Sequence, residues 1–222
     1  MTSRQWVPAA LVLLSLLPVV VGAARVSSMV GGAPEMADDA RMQTMPVPVL
    51  LHIVCASLFL VLGAFQFGAR GRRHRVAGRL LVPLGLAGAL SALWLTVFLE
   101  HPPGDGVLLA AFRLAAGSGW AAALVIAFAA IRRREVTRHR AWMIRGYALA
   151  QGGGTQALVF LPLGAISGEL PGGTTRALLL GACWAVNLGV AELIIRNQGG
   201  KRHESDHAGP VRTAGRVAAD RG

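Results

Sequence analysis

Charge is scarce in this chain. Only 15% of its 222 residues are charged and 54% are hydrophobic, whereas ordinary soluble domains carry roughly a quarter charged residues. That deficit argues against a soluble globular domain. Sulfur chemistry is equally thin: the two cysteines, Cys55 and Cys183, sit inside apolar runs as small buried hydrophobes, so neither a disulfide framework nor a zinc motif can be built. Nucleophile elbows, zincin signatures and phosphate loops are missing, and the glycine-rich stretches do not follow a strand. No catalytic constellation is visible, and the chemistry of an enzyme is left without an anchor.

Acidic residues are half as numerous as basic ones, 11 against 22, for a formal net charge of +11. A basic excess can be the footprint of nucleic-acid binding. Here the arginines cluster at the ends of apolar runs and no nucleic-acid module is recognisable, so the bilayer and its anionic headgroups are the expected partners.

What the chain does have is long apolar runs. Crossing the roughly 30 Å hydrocarbon core takes about 20 apolar residues in a helix, and six runs reach that length: 6–24, 47–67, 80–99, 107–131, 142–166 and 175–195. None shows the period-two alternation of a barrel strand. The expected fold is all-α, a polytopic transmembrane bundle of six helices. Its divisions are an N-terminal anchor (1–24), an extracytoplasmic loop (25–46), a five-helix core (47–195) and a disordered basic tail (196–222). The first run also resembles a secretory signal ending in Gly22-Ala23-Ala24, although a retained anchor is the preferred reading.

Orientation follows from where the cations fall. All but five of the 22 lysines and arginines lie before the first run, after the second, after the fourth and after the sixth. The alternate connections carry Arg25 and Arg41 among Glu35, Asp38, Asp39, Glu100, Asp105 and Glu169. The basic loops therefore belong in the cytoplasm with both termini, in a multi-pass protein of the cell membrane. Two of these loops close on His74-Arg75 and His139-Arg140, a weak sign of a duplicated hairpin.

Several stretches together resemble a bacterial membrane family, domain of unknown function 2306. They are Pro46-Val47-Pro48 leading to Leu51-His52-Ile53 and Gly63-Ala64-Phe65-Gln66-Phe67, then His74 to Arg79, then His139 to Arg145, and finally Gly154-Thr155-Gln156 with Asn187 and Glu192. The resemblance spans about 46–195. It implies a helical membrane domain with motif residues His52, Gln66, His74, Arg79, His139, Arg145 and Gln156, and it brings no activity with it.

Ionisable groups inside a span cost about 2.5 to 3.5 kcal/mol at its centre, so each calls for a partner or a purpose. His52, Ala56, Phe59, Gly63 and Gln66 recur at helical spacing and share one face, expected to look into the bundle. Arg145, Leu149, Gly152 and Gln156 share another, interrupted by the run Gln151 to Gln156, whose three glycines weaken the helix in the manner of discontinuous transporter helices. Close helix approach over small residues explains the same glycines. Arg176, Leu180, Cys183 and Asn187 form a third stripe. Arg145 and Glu192 lie at matching depth and are expected to pair, with snorkelling as the alternative. Arg113, two turns into its run, is expected to face His52 or Gln156, or to snorkel outward.

His52 and His101 fall toward one side of the bilayer, His74 and His139 toward the other. Paired histidines can hold haem, and His52 and His139 are the candidate ligands; His101 adjoins Pro102-Pro103 in a loop, and His74 and His139 lie in arginine runs suited to headgroups. Met29, Met36, Met42 and Met45 offer soft donors without regular spacing. His203 and His207 are four apart in the tail, where solvation is the expected state. Three functional classes remain: a small-solute or ion transporter, a haem-bearing redox protein, and a structural or regulatory membrane component.

Overall fold

The computed structural model describes residues 3–31, 39–67, 71–102, 104–168 and 170–207. Within them the chain is helical, with no strand, in eight segments: α1 (Ser3–Met29), α2 (Asp39–Gln43), α3 (Pro46–Gln66), α4 (Gly71–Phe98), α5 (Val107–Arg132), α6 (Val136–Ala150), α7 (Gly152–Ser167) and α8 (Gly173–His207). Loop residues 32–38, which include Met36, and tail residues 208–222 lie outside the described set, as do the side chains of His203 and His207.

Five helices are long and apolar enough to cross a bilayer, namely those of α1, α3, α4, α5 and α8. The sixth expected span, 142–166, is not one helix. It is two, α6 with 15 residues and α7 with 16, joined end to end at Gln151. Neither half reaches the length a crossing needs, and together they exceed it. The reason is local. Glycine is the poorest helix former after proline, and the run Gly152-Gly153-Gly154 lets the backbone leave helical register after Ala150.

A second difference is at the end of the chain. Among the described residues, α8 continues past Ile195 to His207, so the first part of the polar stretch is helical. Helix propagation from an established span is inexpensive, and the residues that follow include no proline before Pro210.

Neighbouring helices close a ring: α1 packs on α3, α3 on α4, α4 on α5, α5 on α6 and α8, and α7 lies between α8 and α1. Helix α1 is thus built into the wall of the bundle. Ser15 is fully buried, with its Oγ 2.8 Å from the Leu11 carbonyl and 3.1 Å from Oε1 of Gln151. The core where the ring closes holds Phe59, Leu81 and Leu124, each wholly buried, with Trp120 and Tyr147. Outward faces carry large apolar side chains such as Leu13, Leu90, Val125, Leu158 and Leu193, all more than half exposed. Apolar exposure on that scale, spread over every span, suits a hydrocarbon solvent.

Candidate functional site

Three aromatic rings divide the bundle into two halves. Phe59 of α3 lies 5.4 Å from the ring of Trp120 (α5) and 6.0 Å from that of Tyr147 (α6), separations typical of favourable aromatic pairs. The Tyr147 hydroxyl donates to the carbonyl of Leu60 at 2.9 Å. Each ring rests on a glycine: a methyl group on Gly63 would meet Tyr147, one on Gly85 would meet Phe59, and one on Gly88 would meet Trp120, at 2.6 to 2.8 Å. At these glycines the neighbouring helices approach closely. The result is a dense septum across the middle of the bundle.

A cavity of about 360 Å³ lies on the side of the septum away from the basic loops, lined among others by His52, Arg113, Trp120, Gln156 and Trp184. The structure brings together here three side chains singled out in the sequence from three different helices. His52 Nδ1 lies 2.9 Å from the Gly88 carbonyl. A carbonyl only accepts, so Nδ1 carries the hydrogen and Nε2 is left as the second polar atom of the ring. Ser91 Oγ is a longer neighbour at 3.4 Å. Arg113 donates from Nη2 to Oδ2 of Asp105 at 3.0 Å, and Nη1 of Arg176 lies 3.3 Å from Oδ1 of the same carboxylate, which is fully buried. Arg113 therefore neither snorkels alone nor stands unpaired. Two buried donors at the site, Trp120 Nε1 and Gln156 Nε2, have no protein acceptor.

Asn187 does not join that cavity. Its Oδ1 accepts from Thr155 Oγ1 at 2.8 Å, and its Nδ2 donates to the Ala148 carbonyl at 3.1 Å, an oxygen next to the α6/α7 break. Asn187 thus satisfies backbone that the broken helix would otherwise leave bare, which membrane interiors do not tolerate. Gln151 sits at the joint, buried, with Nε2 lacking a protein partner.

The other cavity, about 320 Å³, opens at the basic end, where the expected loops are mostly helix, since Arg72 to Arg79 belong to α4 and Arg138 to Arg140 to α6; it is lined by Gln66, His74, His139, Arg140 and Tyr147 among others. His139 Nδ1 is 2.9 Å from the Ala127 carbonyl, so here too Nε2 is the free nitrogen. Gln66 donates weakly to the His74 carbonyl at 3.3 Å, and its buried Oε1 has no partner. The proposed haem pair fails on position: His52 lines one cavity and His139 the other, with the septum between them. Arg79 is exposed and lines neither.

Arg145 and Glu192 meet as expected, through Nε to Oε1 at 2.5 Å and Nη2 to Oε2 at 3.0 Å. The Arg145 guanidinium also lies 4.7 Å from the centre of the Trp142 ring. This pair ties α6 to α8 near the basic end and touches neither cavity.

Three contributors carry no sequence signal: Asp105 counts only as one more acid of an alternate connection, and Trp120 and Tyr147 have no polar pattern that separates a septum from ordinary core.

Helices of this length and apolarity, with large apolar side chains on their outward faces, define a multi-pass helical membrane protein. A family model described as a predicted membrane protein, domain of unknown function DUF2306, matches residues 49–195, and the chain belongs to that family. The match begins in α3 and leaves α1 outside it. No curated protein and no solved structure matches the chain.

Proposed function

We propose that this protein moves a small polar solute across the cell membrane, with the basic loops and both termini on the cytoplasmic side. The carrying observation is the pair of cavities on opposite sides of one aromatic septum. Alternating-access transporters bind their solute near the bilayer midplane and commonly use a broken helix there, whose freed backbone groups face the solute. The α6/α7 joint supplies that element, with Gly153 and Gln156 of α7 lining the cavity beyond the septum. Movement of α7 against α1 and α8 is the natural gate, because α7 is short and begins at the joint.

The reading is tested with single cysteines in a Cys55→Ala, Cys183→Ala background. Gly78→Cys, at a position with open space around it, probes one cavity; Ser57→Cys, nearly isosteric, probes the other. An impermeant maleimide should label Gly78→Cys from the cytoplasmic face of sealed vesicles and Ser57→Cys from the opposite face. Proteoliposomes should then move at least one of acetate, nitrate, inorganic phosphate, glycerol, glycine or urea faster than protein-free vesicles. Labelling of both positions from one face, or no acceleration of any solute, defeats the proposal.

One observation favours a second reading, haem binding by a different pair from that expected. His74 of α4 and His139 of α6 line one cavity, and the Nδ1 hydrogen bond of His139 orients its Nε2 as an outer-shell partner orients a ligand. Purified protein would then be coloured, and the Soret band would vanish in His74→Ala and His139→Ala while surviving His52→Ala. Colourless wild type removes it.

A further inference from the structure

We infer that the cavity between the septum and Asp105 is a binding site for a small oxyanion, a compact carboxylate or an inorganic oxyanion of similar size. This inference deepens the transport reading and rests on it for the identity of the cavity.

The polar lining of the cavity is one-sided in character. Not one of its lining residues is acidic, and a guanidinium stands among them. Arg113 commits one Nη2 hydrogen to Asp105, and a guanidinium has five, so donors remain for a ligand. Asp105 is shared between Arg113 and Arg176, two cations on one carboxylate, so the cluster keeps an excess positive charge at the cavity. The second fixed donor is the indole of Trp120, 5% exposed, whose Nε1 hydrogen has no protein acceptor. Indole N–H only donates, and leaving it unmet in a buried site costs about 1 to 3 kcal/mol. The indole ring itself lines the cavity.

One further feature points the same way: the Gln156 amide, from α7, has an unpartnered Nε2. A cation would find no carboxylate here. A neutral solute could use the indole and the amide but would leave the excess arginine charge facing it uncompensated in a low-dielectric interior. An anion held at Arg113 meets the charge, in a cavity that the Trp120 indole also lines.

The full-length protein purified in detergent allows a direct test, because Trp120 and Trp184 both line the cavity and report on it by fluorescence. Sodium acetate and sodium nitrate are titrated at constant ionic strength against sodium HEPES, with glycerol and choline as neutral and cationic probes. Acetate or nitrate should give a saturable change; glycerol and choline should give none. Arg113→Gln should raise the apparent Kd at least tenfold, and Arg113→Lys should raise it less. Trp120→Phe, read through Trp184, should raise it about threefold, and it guards against Arg113→Gln failing to fold. Arg132→Gln, an exposed residue at the other end of α5, should leave the Kd unchanged. Saturable binding of glycerol or choline with none of the anions overturns the inference, as does a folded Arg113→Gln that binds anions as the wild type does. Anion binding without flux in proteoliposomes would uphold the site and remove transport; flux of glycerol or urea without anion binding would do the reverse.

Discussion

Arg145 and Glu192 are each about a quarter to two-fifths exposed in side chain, and a charge inside an apolar span is seldom left alone. Two parallel hydrogen bonds from a guanidinium to a carboxylate are the strongest arrangement available to such a pair. Reversing one partner sets like charges against each other at the α6/α8 contact. Arg145→Glu and Glu192→Arg should each cost on the order of 2 kcal/mol, seen as reduced detergent-extracted yield and a lower Tm. The double reversal should recover most of both losses; recovery in neither measure would reduce the pair to a decorative surface contact. This pairing was legible beforehand because ionisable residues inside apolar runs are few and depth alone nearly matches them. Asp105 was not legible, since it counts only as one more acid of an alternate connection until Arg113 and Arg176 are seen to converge on it. Asn187 was legible as a polar residue at depth but not in its task, because the carbonyl it satisfies is exposed only by a break in another helix.

The joint between α6 and α7 shows how three adjacent glycines can do different work. A methyl on Gly152 would drive into the Trp184 indole, and one on Gly154 into the Leu14 carbonyl of α1, whereas one on Gly153 would meet only Pro18 at 3.7 Å, an ordinary contact. Gly152 and Gly154 therefore let α8 and α1 close on the joint, and Gly153 leaves room beside the cavity. Gly152→Ala and Gly154→Ala should each destabilise by about 1 to 3 kcal/mol through overpacking. Gly153→Ala should change stability by less than about 1 kcal/mol, since alanine also favours helix, while altering anion titration or flux because it lines the cavity. Thermal unfolding of the three variants checks the order, and equal losses in all three would refute this division of labour. The weakening of the helix here could be foreseen from glycine propensity. Its splitting into two helices could not, because close packing over small residues predicts the same sequence. The length of α8 was misjudged for a related reason: composition registers the loss of apolar residues after Ile195 but not the helix already running into them.

At the scale of the molecule, the decisive feature is that Phe59 touches both neighbours of the septum while the residues around it part company: Tyr147 lines the cavity by the basic loops and Trp120 the one beyond. Hydropathy located the spans, and the arginine loops suggested which ends lie together. Helical spacing placed Phe59 midway along the face from His52 to Gln66, but not its contact with Trp120 and Tyr147 or the cavities on either side. If the cavities are two ends of one path, the Phe59 ring is the stopper between them. Its removal should then join them. Phe59→Ala costs about 3 to 5 kcal/mol as a core truncation, so the variant must first be shown to be monodisperse, and Phe59→Leu, costing less by keeping most of the volume, serves as the conservative partner. In proteoliposomes, Phe59→Ala should raise the leak of acetate and glycerol alike several-fold, since a hole discriminates less than a site, and Phe59→Leu should stay close to wild type. A folded Phe59→Ala no leakier than the wild type would mean that the cavities are separate pockets, and the bundle would then be better understood as two binding sites on one scaffold than as a route through the membrane.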